Sequence, residues 1–203
     1  MAEIKQIIVG IHDHEGETFH LSSSVTLIKT DKNVLVDTGS FLNTEEIITN
    51  LGKEGLKPED IDIVVMTHMH IDHAVNLYLF KNAIIHYKFI NTYPGQTHTP
   101  AKGQMQRFEL IDGTEIAKDV SILLTPGHTN EHLSVVVKTD EGTVVVSGDA
   151  LATEGDCDLE DHPPEFILWS LEAYNVSRKK ILKTADYIIP GHGKMFKVSD
   201  KFK

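Results

Sequence analysis

Apolar residues in this chain come largely in short runs rich in Val and Ile, and four of those runs stop abruptly at polar residues: IDIVVMTHMHIDH, VSILLTPGH, TVVVSGD and DYIIPGH. Their length and β-branched content predict buried strands that carry polar residues at one end. Strand ends gather along one sheet edge, where open sheets place their ligands. Residues spread over more than half the sequence can therefore meet. Amphipathic segments at 43–54 and 164–184 predict helices, and a further helix is expected from about Ala74. Strands alternating or pairing around such helices predict an α/β fold, an αββα sandwich of two packed mixed β-sheets with helices on the outer faces. With 203 residues, 40% of them hydrophobic, and neither an internal repeat nor a low-complexity linker, the expectation is a single domain over 1–203.

The polar ends deliver His68, His70, Asp72, His73, His128, Asp149 and His192. In extended backbone His68 and His70 lie two apart and project to the same side, so both can hold one ion. Asp72 and His73 follow where the chain turns toward a helix and can aim elsewhere, which suggests two ions. A nitrogen-rich, sulfur-free set of five imidazoles and two carboxylates suits Zn first and Fe or Mn second. A chain with 12 histidines leaves many to chance. Five histidines and two acids placed directly where apolar runs stop, beside Gly127, Gly148, Gly191 and Gly193, form a far more specific pattern than a lone short motif.

These residues carry a resemblance to the metallo-β-lactamase fold superfamily: Thr67-His68-Met69-His70-Ile71-Asp72-His73, the Pro126-Gly127-His128 turn, Ser147-Gly148-Asp149 and Pro190-Gly191-His192-Gly193, in the order that superfamily uses. The similarity runs from about Val25 onward, and a narrower likeness to one group within it lies in 133–149 and 177–193. The resemblance implies that His68, His70 and His128 hold a first metal and Asp72, His73 and His192 a second, with Asp149 between them. It also implies that Asp37, at the end of Asn33-Val34-Leu35-Val36-Asp37, hydrogen-bonds a liganding His. A turn-forming Asp before Gly39 is an equal reading of that residue. The narrower group is associated with metal-dependent hydrolysis, including cleavage of RNA.

Two dications roughly 3.5–4 Å apart would lower the pKa of a shared water and supply hydroxide near neutral pH. The expected activity is dinuclear hydrolysis of an ester-type bond in a phosphodiester, thioester or lactone. Asp72 is the expected catalytic residue, orienting the nucleophile. An iron-dependent oxygenase or redox protein of the same superfamily and a non-catalytic metal binder are the alternatives. Substrate contacts are expected from Tyr93 and His98, in a loop read over 89–100, and from His162, in the acidic loop with Asp156, Asp158, Glu160 and Asp161. His12-Asp13-His14 reads as part of a solvated turn between two early strands.

Charge and cysteine usage narrow the partners. A net charge of −11 opposes phosphate-backbone binding, which depends on Lys and Arg, so a small anionic substrate is favoured. RNA stays open as a local contact to Arg178, Lys179, Lys180 and Lys183, which equally form a solvated helix face. No apolar run reaches the length of a membrane span, and 1–10 lacks the basic start and long apolar stretch of a signal peptide. The lone Cys157 fits a reducing compartment, hence the cytoplasm. Oligomeric state is not legible.

Overall fold

A computed structural model describes residues 1–88, 90–92 and 110–202. In chain order its strands and α-helices are β1 (Glu3–Ile8), β2 (Ile11–Glu15), β3 (Thr18–Ser22), β4 (Val25–Lys29), β5 (Asn33–Val36), α1 (Thr44–Lys53), β6 (Ile63–Val65), α2 (Ile71–Ala74), β7 (Ile84–Tyr87), β8 (Ile90–Thr92), β9 (Glu115–Ala117), β10 (Val120–Leu124), β11 (Leu133–Thr139), β12 (Gly142–Gly148), α3 (Leu171–Thr184), β13 (Tyr187–Pro190) and β14 (Phe196–Lys197).

The period-two alternation of the strands decides the layering. Val34 and Val36 of β5, Ile63 and Val65 of β6, and Val144 and Val146 of β12 point into one central cluster, which Ile122, Val135, Val137 and Ile189 complete. The intervening residues face outward and are covered by helices. Leu35 and Val64 pack with Ile47 and Leu51 of α1, and Val145 and Ile188 pack with Ile181 and Leu182 of α3. Two sheets therefore share one core, and each carries a helix on its outer face, which is the αββα arrangement.

The first sheet has the order β1-β4-β5-β6-β7-β8 and the second β14-β13-β12-β11-β10-β9, with β2 and β3 forming a separate hairpin. Both sheets are mixed. The β5–β6 and β6–β7 pairs are parallel in the first, and β12–β13 is parallel in the second. Parallel neighbours run in the same direction, so β6, β12 and β13 can end together and hand their following residues to one site.

Four local expectations are corrected. The helix expected from Ala74 is instead the single turn α2, which starts at Ile71 and contains Asp72 and His73. The helix expected over 164–184 starts later: Pro164 precedes a short 3-10 turn at Glu165–Ile167, and the Ser170 side chain then accepts from Ala173 N to cap α3. Residues His12 to His14 belong to β2, so the turn of that hairpin lies beyond them. Within the loop read over 89–100, Ile90–Thr92 pairs with β7 as a strand; Tyr93 and His98 lie outside the described residues.

Candidate metal centre

The loops after β6, β10, β12 and β13 bring all seven residues read from the sequence to one place. Two groups form, within each of which the donor atoms lie within 4.8 Å of one another: His68, His70, His128 and Asp149 in one, Asp72, His73 and His192 in the other. The Asp149 carboxylate faces both. Its Oδ2 lies 3.5 Å from His128 Nε2 and 3.9 Å from His68 Nε2. Its Oδ1 lies 3.3 Å from both His73 Nε2 and His192 Nε2. Asp72 Oδ2 stands 3.6 Å from each of the latter two nitrogens.

Hydrogen bonds at the far side of the rings decide where the protons sit. His73 Nδ1 lies 2.8 Å from Asp37 Oδ2, and a carboxylate can only accept, so Nδ1–H donates. His192 Nδ1 lies 2.9 Å from the Ser22 carbonyl and must donate likewise. Thr67 Oγ1 gives its single hydrogen to Asp37 Oδ2 at 2.8 Å. The contact of 3.1 Å between Thr67 Oγ1 and His68 Nδ1 is then a donation from the ring. In the neutral form all three imidazoles turn an unprotonated Nε2 toward the carboxylates of Asp149 and Asp72.

Acceptors thus converge on acceptors. His68 Nε2, His73 Nε2, Asp72 Oδ2 and Asp149 Oδ1 are buried and have no hydrogen-bond partner, an arrangement that costs about 1–3 kcal/mol per group unless something positive sits between them. The donor set fits that need: imidazole nitrogens, those of His68, His73 and His192 held from behind, and carboxylate oxygens are what a divalent ion of the Zn, Fe or Mn class takes. Burial alone would suppress protonation of His73, yet the Asp149 and Asp37 carboxylates raise its pKa well above the usual imidazole value. Burial also works against His192, and Asp149 again raises it. His68 and His128 are pushed down, chiefly by burial, and the surrounding imidazoles hold Asp149 well below the carboxylate range against the effect of its own burial.

Backbone geometry explains why glycines flank the ligands. Asp37 itself adopts a left-handed conformation, φ 57°, a strained setting that lets its carboxylate reach Thr67 N as well as His73. A Cβ on Gly191 would overlap the Asp149 carboxylate, and one on Gly127 would overlap the Tyr174 backbone.

Sequence reasoning left His132 out of the site, and the structure places it behind Asp149. Its Nε2 accepts from Asp149 N at 3.1 Å, so its proton sits on Nδ1 and is donated to Thr125 Oγ1 at 3.0 Å. Thr125 then donates to Ser134 Oγ at 2.8 Å, which donates to the Ser147 carbonyl. Burial holds His132 down to about 3, so it stays neutral and keeps its acceptor. Asn76 is a second omission; its amide ties the Thr38 and Ser40 carbonyls together behind α2.

A cavity of about 530 Å³ opens over the two groups. His162, His12 and Tyr174 are among the residues that line it. Arg178 does not: far from being a solvated basic face, its side chain is fully buried, and Lys180 is paired with Asp112 at 2.7 Å. The acidic loop is no simple solvated connector either, since Asp156 lines the cavity and Cys157 is buried. Among the described residues no helix is long and apolar enough to cross a membrane.

Known proteins share both the sequence and the architecture. The chain is 36% identical over 193 residues to metallo-β-lactamase domain-containing protein 1 of Xenopus laevis, covering 92% of this chain and 77% of that one. It spans 59–63% of the length of the mammalian relatives of that name. It is 35% identical over 159 residues to a probable metallo-hydrolase of Methanocaldococcus jannaschii, covering 78% of this chain and 70% of that one. The crystal structure of a probable metal-dependent hydrolase from Staphylococcus aureus superposes with a TM-score of 0.74 at 17% identity, covering 100% of this chain and 94% of that one. Residues 19–192 match the model of the metallo-β-lactamase superfamily, and the chain belongs to that superfamily of metal-dependent hydrolases.

Proposed function

We propose that this protein hydrolyses an ester-type bond of a small anionic substrate with two divalent cations, zinc first, held by the seven side chains. His68, His70 and His128 would hold one cation, Asp72, His73 and His192 the other, and Asp149 both. The observation that carries the reading is the convergence of imidazole Nε2 atoms and carboxylate oxygens that are buried without partners. When bound, such a pair of cations lowers the pKa of water and polarises a carbonyl or phosphoryl oxygen.

The chain's own residues supply the rest. Asp72, which lines the cavity, accepts a hydrogen bond from the attacking water and orients it. Asp37 keeps the His73 proton on Nδ1, and the Ser22 carbonyl does the same for His192. His162, exposed on the cavity rim with Nδ1 against the Pro163 carbonyl, is placed to meet the leaving group. A small substrate is favoured over RNA because, of the basic residues left open as a phosphate contact, Arg178 is buried and Lys180 is paired with Asp112. The single buried Cys157 suits a reducing compartment, which supports the cytoplasm.

The test is to strip the protein with chelator, reload it, count the metal, and screen chromogenic phosphodiester, thioester, lactone and β-lactam substrates. About two ions per chain and turnover that is lost with chelator and restored by zinc are expected. Iron retained with oxygen consumption and no hydrolysis would favour the redox alternative. Full metal loading with no turnover of any class would favour a binder.

A further inference from the structure

We infer that Arg178, which touches neither the metal-type ligands nor the cavity, is a positioning residue that fixes one wall of the substrate cavity and so decides how large a substrate is accepted. This rests on the hydrolase reading above.

The geometry is specific. Arg178 Nη1 donates to the carbonyls of Asp156, Asp158 and Asp161 at 2.9, 3.0 and 2.7 Å. Nη2 donates to the Leu159 carbonyl at 3.3 Å and to the Asn175 side chain. Four main-chain oxygens from six consecutive residues therefore close on one guanidinium. That stretch and its continuation are the cavity wall, because Asp156, Asp161, His162 and Pro163 line the cavity. The opposite contact of the guanidinium completes the wall: its carbon lies 4.8 Å from the centre of the Tyr174 ring, and Tyr174 lines the same cavity. Arg178 thus touches both pieces of wall.

Chemistry explains why the position takes arginine. A buried cation must be compensated, and here neutral oxygen dipoles do it around a planar fork whose Nη1 and Nη2 groups aim four N–H donors in several directions, while Nε–H has no partner among the described residues. An ammonium offers three donors from one point and cannot reach the same four carbonyls. The loop makes a few turns of its own, as with Asp161 N to the Asp158 carbonyl, but it lies in neither sheet. Losing the fork loosens the wall and leaves the metal-type ligands in place, since six of them stand on other loops and Asp149, which opens the same connection after β12, is held at its own end by His132 Nε2.

The experiment compares the full-length, zinc-loaded protein with Arg178→Lys and Arg178→Gln. Metal content, amide hydrogen exchange over 153–163, and kinetics on a matched pair of probes are measured. The pair is methyl 4-nitrophenyl phosphate with bis(4-nitrophenyl) phosphate, or 4-nitrophenyl acetate with 4-nitrophenyl phenylacetate, according to the class the wild type cleaves. Expected are unchanged metal content, kcat on the smaller probe within about twofold, a KM for the larger probe raised about five- to tenfold, and exchange over 153–163 faster by about tenfold or more. Unchanged exchange there, or equal loss on both probes, would overturn the proposal. Should both variants fail to fold, His162→Ala tests the wall directly: the ratio of kcat/KM between the larger and smaller probes must change, and an unchanged ratio overturns the proposal. If the wild type cleaves neither pair and none of the thioester, lactone and β-lactam probes, the hydrolase reading fails on its own, and exchange in Arg178→Lys still decides the role of Arg178.

Discussion

The two halves of the metal-type cluster are built differently. Asp72, His73 and His192 are all buried, and both imidazoles are anchored by acceptors, Asp37 and the Ser22 carbonyl. In the other half only His68 is fully buried and anchored. His70 is exposed, and its Nδ1 lies 2.9 Å from His128 Nε2. Both halves reach the cavity, through Asp72 and His192 on one side and His70 and His128 on the other, but only the first has both of its imidazoles held from behind. The contrast teaches that shared ligand chemistry does not imply shared rigidity: supports behind the rings divide the site into a firmly held part and a looser part.

The change expected to have the largest effect removes what both halves share. Asp149→Ala should lower metal content from about two ions to at most one. It should cut turnover roughly a thousandfold, because several kcal/mol of transition-state stabilisation depend on the ions. Elemental analysis with steady-state kinetics checks this, and unchanged stoichiometry would break the assignment of Asp149 to both halves. Asp37→Asn sharpens the contrast, since it weakens the acceptor behind His73. Metal affinity should fall about 10- to 100-fold, more in a competitive chelator titration for the ion on the His73 side, which Asp37 supports directly, than for the one on the His68 side, which it supports only through Thr67. Equal weakening of both ions would mean the halves are not independently supported.

A smaller effect is expected from His132→Ala, which strips the acceptor from Asp149 N and leaves Thr125 without its donor. The cost should be about 1–3 kcal/mol of stability, measured by denaturant unfolding. The smallest effect concerns Cys157, whose thiol is raised to about 11 by burial and by the neighbouring Glu154 and Asp156. Its reactive thiolate is scarce at neutral pH and grows as pH rises toward that value. A maleimide should therefore leave the native protein unlabelled near pH 7, with metal content and turnover unchanged, and label it progressively faster in alkali.

Much of this was legible in the sequence because the strand signal and the site signal coincide. Apolar runs such as IVV at 63–65 and VVV at 144–146 alternate between the central core and the outer helices, and the ligands follow directly after them. What escaped depends on contacts made across the fold. His132 opens into β11 and reads as an ordinary polar residue until the Asp149 backbone, 17 positions on, is laid against it. Arg178 sits among lysines on a helix and reads as a solvated charge. Its burial follows only from a loop whose carbonyls turn toward it. The start of α3 also differs from the segment over 164–184 that the pattern predicts, because the Ser170 side-chain cap, which the apolar pattern does not reveal, sets it.

The most direct test of the central claim is an anomalous difference map at the zinc edge from crystals of the zinc-loaded protein. Two peaks about 3.5–4 Å apart, flanking the Asp149 carboxylate with His68, His70 and His128 around one and Asp72, His73 and His192 around the other, are expected. A single peak, or peaks away from these side chains, would contradict it.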